Sequence, residues 1–148
     1  MGSAYIGDIP NPHVRDFQRK KLYEAEVFTS FWSSFKILSR PKVKHFVKEI
    51  SDWAGIETPK VTYETSIKNG RVAFATMSSL VLPFPLARSI PYICHEMSHI
   101  VNYQRGPTDH HGPNYAKVNL EVVKEFISED AKQELQTSFD EHKVKYLI

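Results

Sequence analysis

The chain has 148 residues, a formal net charge of +2, a single cysteine, 41% apolar and 24% charged residues. These values predict one globular domain (residues 1–148) with a core of its own, and one cysteine excludes a disulfide framework or a four-cysteine zinc site within the chain. No apolar run reaches membrane-span length and no basic-then-apolar leader opens the sequence, so a reducing, cytoplasmic setting is expected, with a charge balance that neither requires nor excludes nucleic acid.

Residues 1–12 are rich in Gly, Pro and Asn and are expected to be loose. A long helix is predicted from Pro12 or His13 to Leu38. Val14, Phe17, Leu22, Ala25, Phe28, Phe31, Trp32, Phe35 and Leu38 recur there near the spacing of a core-facing stripe. The charged residues of its first half, including Arg15, Asp16, Arg19, Lys20, Lys21, Glu24 and Glu26, read as a solvated face. A second helix is predicted from Pro41 to Ala54, with Pro41 in its first turn and Gly55 as its C-terminal cap. Its stripe is Val43, Phe46, Val47, Ile50 and Trp53.

Three strand-like runs follow, at 61–67, 72–76 and 79–82. Asn69-Gly70 predicts a hairpin between the first two, so the expected sheet is small and mostly antiparallel. The run near Val81 is a candidate edge for pairing with an extended peptide. Ser89 is the candidate cap of the next helix, which Gly106-Pro107 stops. Pro113 opens a further helix, apolar on one or both faces, and Ser128 caps a last one carrying Ala131, Leu135 and Phe139.

The helix after Ser89 contains His95-Glu96-Met97-Ser98-His99. Residues four apart share a helix face, so two imidazoles can meet one metal ion. Glu96 points about 100° round the helix, beside the metal position instead of on it. At about 100° per residue, Ile90, Ile93, Cys94, Met97, Ile100 and Val101 share one arc, while His95 and His99 fall opposite with Arg88, Tyr92 and Tyr103. That placement favours a lined cleft. Catalytic zinc takes three protein ligands, and the doublet His110-His111 offers the third, the spacing alone leaving the choice between them open.

A short sheet, an H-E-x-x-H helix, then His-Gly-Pro-x-aromatic opening another helix together resemble the SprT-like family of zinc metalloproteases. Arg15-Asp16-Phe17-Gln18-Arg19 and Leu22-Tyr23-Glu24-Ala25-Glu26 are also similar to small metallohydrolase-like proteins of actinobacteria and their phages. The resemblance implies an α+β, zincin-like domain, with the small sheet preceding the motif helix and helices from both termini packed around it. It further implies Zn²⁺ on His95, His99 and His111, the family's ligand standing directly before Gly112, and Glu96 as general base. Two departures stand out: Asn114 occupies a position usually acidic in the family, and no cysteine zinc ribbon is present.

On this reading Glu96 takes a proton from water attacking a carbonyl and passes it to the leaving nitrogen. Tyr92 or Tyr103 is a candidate donor to the developing oxyanion or a structural tyrosine, and Tyr115 is expected in the core with Cys94. Asp109 either orients a ligand imidazole or belongs to the turn. The expected function is a zinc-dependent peptidase acting on a peptide or protein substrate. The alternative is a non-catalytic module of the same fold that binds a protein or nucleic-acid partner.

Overall fold

The computed structural model describes residues 15–63, 72–106 and 109–148. In chain order it contains α1 (Arg19–Phe28), α2 (Arg40–Ala54), β1 (Lys60–Thr62), β2 (Phe74–Ala75), β3 (Ser79–Val81), a 3₁₀ turn (Pro85–Arg88), α3 (Ile90–Arg105), α4 (Pro113–Phe126) and α5 (Glu129–Glu141). The class is α+β, and no described helix is long and apolar enough to cross a membrane. The loose start at 1–12, the helix start at Pro12 or His13, the Asn69-Gly70 turn and the Pro107 stop lie outside the described residues.

The predicted first helix is cut short. It ends at Phe28, and residues 29–38 are turns leading to a single antiparallel bridge between Ile37 and Ser89. Hydroxyl side chains supply the reason, because they offer the backbone competing partners. Thr29 Oγ1 donates to Glu26 O at 2.6 Å, Ser34 Oγ donates to Phe31 O at 2.9 Å, and Ser30 donates through N and Oγ to the Glu134 carboxylate at 2.7 and 2.8 Å. The second helix forms much as its sequence predicts. Ser39 Oγ accepts from Lys42 N, and Gly55 takes φ 69°, a left-handed turn that favours glycine.

The sheet is mixed, not mostly antiparallel. Its order is β1-β3-β2, with β1 parallel to β3 and β2 antiparallel to it. Within the described residues, then, the first two strands are not neighbours. The tight hairpin joins β2 to β3 through Met77 and Ser78, where Thr76 N donates to Ser79 O at 2.9 Å and Thr76 Oγ1 accepts from Ser79 N at 3.0 Å. The run near Val81 is therefore the central strand, flanked on both sides, and not an edge open to a peptide.

Two apolar clusters meet at α4. One packs Val43, Val47 and Ile50 of α2 and Leu80 of β3 against Ile93, Met97, Ile100 and Val101 of α3, with Val118 and Val122 of α4. The other packs Leu22 and Ala25 of α1 against Leu120 and Val123 of α4 and Ala131, Leu135 and Phe139 of α5. The apolar arc of α3 faces the first cluster, as its periodicity predicts. Its opposite side does not face water: α1 and α4 close over it, leaving His95, Glu96 and His99 only 5–7% exposed.

Candidate metal centre

One turn of α3 separates His95 from His99, and the turn before α4 delivers His111. One ring nitrogen from each of these three buried residues lies within 4.8 Å of the others. His99 Nε2 and His111 Nε2 are 3.0 Å apart. His110 is not in the cluster. It adopts φ 56°, a left-handed conformation, and its ring stands edge-on to Tyr103 at 6.5 Å. The doublet left open by spacing thus places His111 in the cluster and His110 outside it.

Two carboxylates stand behind the cluster, that of Glu26 buried and that of Asp16 partly exposed. Glu26 Oε2 on α1 is 2.7 Å from His95 Nδ1, and Asp16 Oδ2 is 2.7 Å from His111 Nδ1. A carboxylate only accepts, so each Nδ1 carries a proton and Nε2 is the nitrogen left to ligate. Glu26 also accepts from Asn119 Nδ2 at 3.2 Å, and Asp16 Oδ1 accepts from His111 N at 3.2 Å. These acids were expected on a solvated face. Glu26 is instead 1% exposed, on the same helix side as Leu22 and Ala25, because the face above it is closed by α3 and α4.

Burial, then the charges of His111, His95 and His110, push His99 well below the ordinary histidine range. His111 is lowered by burial, against the opposing pull of Asp16. Burial alone would lower His95 too, but the Glu26 carboxylate overrides it and raises the ring to about 9. Burial also tends to raise Asp16, whose hydrogen bonds and attraction to His111 nevertheless hold it below its usual value. Two rings are therefore neutral and ready to ligate, and the third exchanges a proton for a cation on binding.

The donor set fits a divalent ion. Two nitrogens on a tetrahedral zinc, each bonded at ~2.0–2.1 Å, stand roughly 3.3 Å apart, close to the separation of His99 and His111. Imidazole suits zinc, copper, iron and nickel, so the donors alone do not select the metal.

Glu96 is buried and forms no hydrogen bond to a described residue. With His95 it lines a cavity of about 310 Å³. Burial raises its carboxyl to about 7; His95 pulls the value down and Glu26 pushes it up. Tyr92 lines the same cavity. Tyr103 stacks on His99 at 5.7 Å, and Tyr115, fully buried, stacks on it at 4.2 Å while donating its hydroxyl to His95 O at 2.8 Å.

Asp109 does not touch a clustered imidazole. Its carboxylate accepts from the backbone N–H groups of Asn114 at 2.7 Å and Tyr115 at 3.2 Å, so it caps the first turn of α4. The orienting role falls to Asp16 and Glu26. Sequence reasoning also missed Tyr23, whose ring lies 4.9 Å from His111 and 5.5 Å from His95 and lines the cavity beside Glu96. The signal for Glu26 was present: it falls one residue after Ala25 and four after Leu22, on the buried stripe itself. Asp16 precedes the helix and carried no such signal. Comparison with protein-family models, curated proteins and solved structures found no match to this chain.

Proposed function

We propose that this chain is a zinc-dependent peptidase of the SprT-like, zincin type. The observation that carries the reading is the arrangement around three converging imidazoles. Two have their outer nitrogens held by carboxylates at 2.7 Å, and Glu96, with no hydrogen bond to a described residue, faces a cavity beside them. His95, His99 and His111 would hold the ion, and among the described residues the cluster ends at these three, the number typical of a catalytic rather than a structural zinc. The chemistry such an ion supplies when bound is Lewis acidity, polarising a carbonyl and acidifying water towards neutrality.

The other steps belong to the chain's own side chains. Glu96 accepts a proton from the attacking water and returns it to the leaving nitrogen. A carboxyl raised to about 7 is well matched to that exchange, and a nearby cation would shift it down towards the fully ionised base. Asp16 and Glu26 fix the orientation of two rings. Tyr23, with no hydrogen bond to a described residue, has a free hydroxyl for the oxygen on which negative charge develops.

The test combines elemental analysis of the purified protein with a peptide-library digest, for wild type and Glu96→Gln. Expected are one zinc per chain in both proteins and a cleavage rate at least ~10²-fold lower in the variant. Undiminished hydrolysis by Glu96→Gln removes Glu96 from the mechanism. If fully zinc-loaded wild type cuts no peptide or protein, a binding module replaces the peptidase.

A further inference from the structure

The walls of the cavity beside Glu96 are mostly apolar and aromatic. Trp32, Phe84, Tyr92 and Val27 line it, together with His95 and Glu96. The Trp32 and Tyr92 rings pack at 5.0 Å, and Phe84 meets Tyr92 edge-on at 6.1 Å. Trp32 reaches this place because α1 stops at Phe28: the serine-rich turns after it swing residue 32 across the mouth of α3, where its ring stands edge-on to His95 at 6.4 Å.

Among the described residues no lysine or arginine lines the cavity, so none of them offers an acidic side chain a counter-charge. Its acids have other occupations. Glu26 is engaged by His95 and Asn119, and Glu96 is the base of the proposed reaction. A basic side chain would have to compete with both. The volume, about 310 Å³, is roughly twice the ~150 Å³ of an apolar cavity that binds benzene, room for an aromatic ring and the peptide atoms next to it.

We propose that this cavity is a substrate subsite selecting a bulky apolar residue, aromatic or leucine-like, flanking the peptide bond to be cut. The proposal rests on the peptidase reading and names its substrate class. The occupant follows from continuity: His95 and Glu96 belong to the wall of the cavity, so a group filling it lies against the reacting centre. Mixed aromatic walls suit an aromatic side chain through edge-to-face contact as well as burial. Pockets of this kind distinguish side chains differing by one methylene by roughly 10–200-fold, and the difference between Phe and Ala is larger than that.

Binding separates this proposal from turnover. Glu96→Gln protein, with the metal it carries as purified, is titrated calorimetrically with blocked peptides Gly-Gly-X-Gly-Gly, where X is Phe, Leu, Ala, Glu or Lys. The Phe and Leu peptides should bind at least about tenfold tighter than the other three. Trp32→Ala should erase the preference. Because Trp32 also packs on the core, Val27→Trp provides a second variant: Val27 is 60% exposed, so a larger side chain there narrows the entrance without disturbing buried neighbours. It should weaken the Phe peptide while leaving metal content unchanged. Equal affinity across the series, a preference for Lys or Glu, no binding up to millimolar peptide, or a preference that survives Val27→Trp each overturns the proposal. Selective binding with no cleavage by wild type keeps the subsite and removes the peptidase. Cleavage indifferent to apolar residues keeps the peptidase and removes the subsite.

Discussion

Glu26 and Glu96 come from facing helices and meet the same imidazole differently. Glu26 spends its carboxylate on His95 Nδ1 and Asn119, whereas Glu96, at the cavity wall, makes no hydrogen bond to a described residue. Glu26→Gln keeps the size and removes the charge that fixes the His95 tautomer. Metal affinity should fall by about 10–100-fold, measured by competition with a chromophoric chelator. Unchanged affinity would mean that the contact orients nothing. Tyr23→Phe removes one hydroxyl and no ring, so it should leave metal content intact and lower kcat more than it raises KM; removal of a single donor to an oxyanion costs ~10²–10³-fold. Equal loss in both variants of metal and rate would assign Tyr23 to structure. The histidines were legible because four-residue spacing is a helical signal. Asp16 was not, because it reaches His111 across 95 positions of sequence, and no local pattern encodes a contact of that separation.

The turn before α4 does the most positioning in the fewest residues. Gly112 has φ −79°, which any residue adopts, so its requirement is space. A Cβ there would lie 2.6 Å from Asp109 Oδ2 and 2.8 Å from Asp109 Cβ, and the second contact cannot be relieved by rotating a side chain. Asp109 is the cap of α4, and His111 lies between the two residues. Gly112→Ala should therefore cost about 1–3 kcal/mol by overpacking and lower metal occupancy together with the melting temperature. A melting temperature equal to wild type would show that the turn gives way freely. Helices α2 and α5 were readable because stripe and cap agree: Ser39, Pro41 and Gly55 bracket α2, and Ser128 N-caps α5 through Ala131 N at 2.9 Å. The failures came where signals competed. The periodic aromatics continue past Phe28, but Thr29 and Ser34 bind backbone carbonyls and Ser30 is held by the Glu134 carboxylate. The sheet order was lost because the only strong hairpin signal, Asn69-Gly70, lies outside the described residues, while the turn that joins β2 to β3 at Met77-Ser78 carries neither Gly, Asn nor Pro.

On the scale of the molecule, the metal-facing imidazoles and their carboxylates come from opposite ends of the chain, and the C-terminal segment holds them together. Gln18, 2% exposed, donates through Nε2 to His111 O at 2.8 Å and Lys145 O at 3.0 Å, and its Oε1 accepts from Lys145 N at 3.0 Å. Ser138 Oγ donates to Ala25 O at 2.7 Å, a second tie from α5 to α1. The start of α1 and the segment before it are thus clamped by the C-terminal residues, and metal binding, clamp and global stability are linked. An ion that binds only the folded chain adds ~2.7 kcal/mol at a free concentration of 100 times its Kd. At roughly 2–4 °C per kcal/mol for a chain near this size, chelation should lower the melting temperature by about 5–10 °C. Gln18→Ala touches no ligand atom, yet it frees the His111 carbonyl and loosens the segment before α1 that carries Asp16. If it weakens metal binding about tenfold, equivalent to ~1.4 kcal/mol, the gap between metal-loaded and chelated melting temperatures should shrink by roughly 3–6 °C at the same free metal concentration. Both forms of the variant should also melt below the corresponding wild-type forms, because buried donors and acceptors lose partners. A variant that melts lower but keeps the full wild-type gap would show that the clamp supports the fold and not the site.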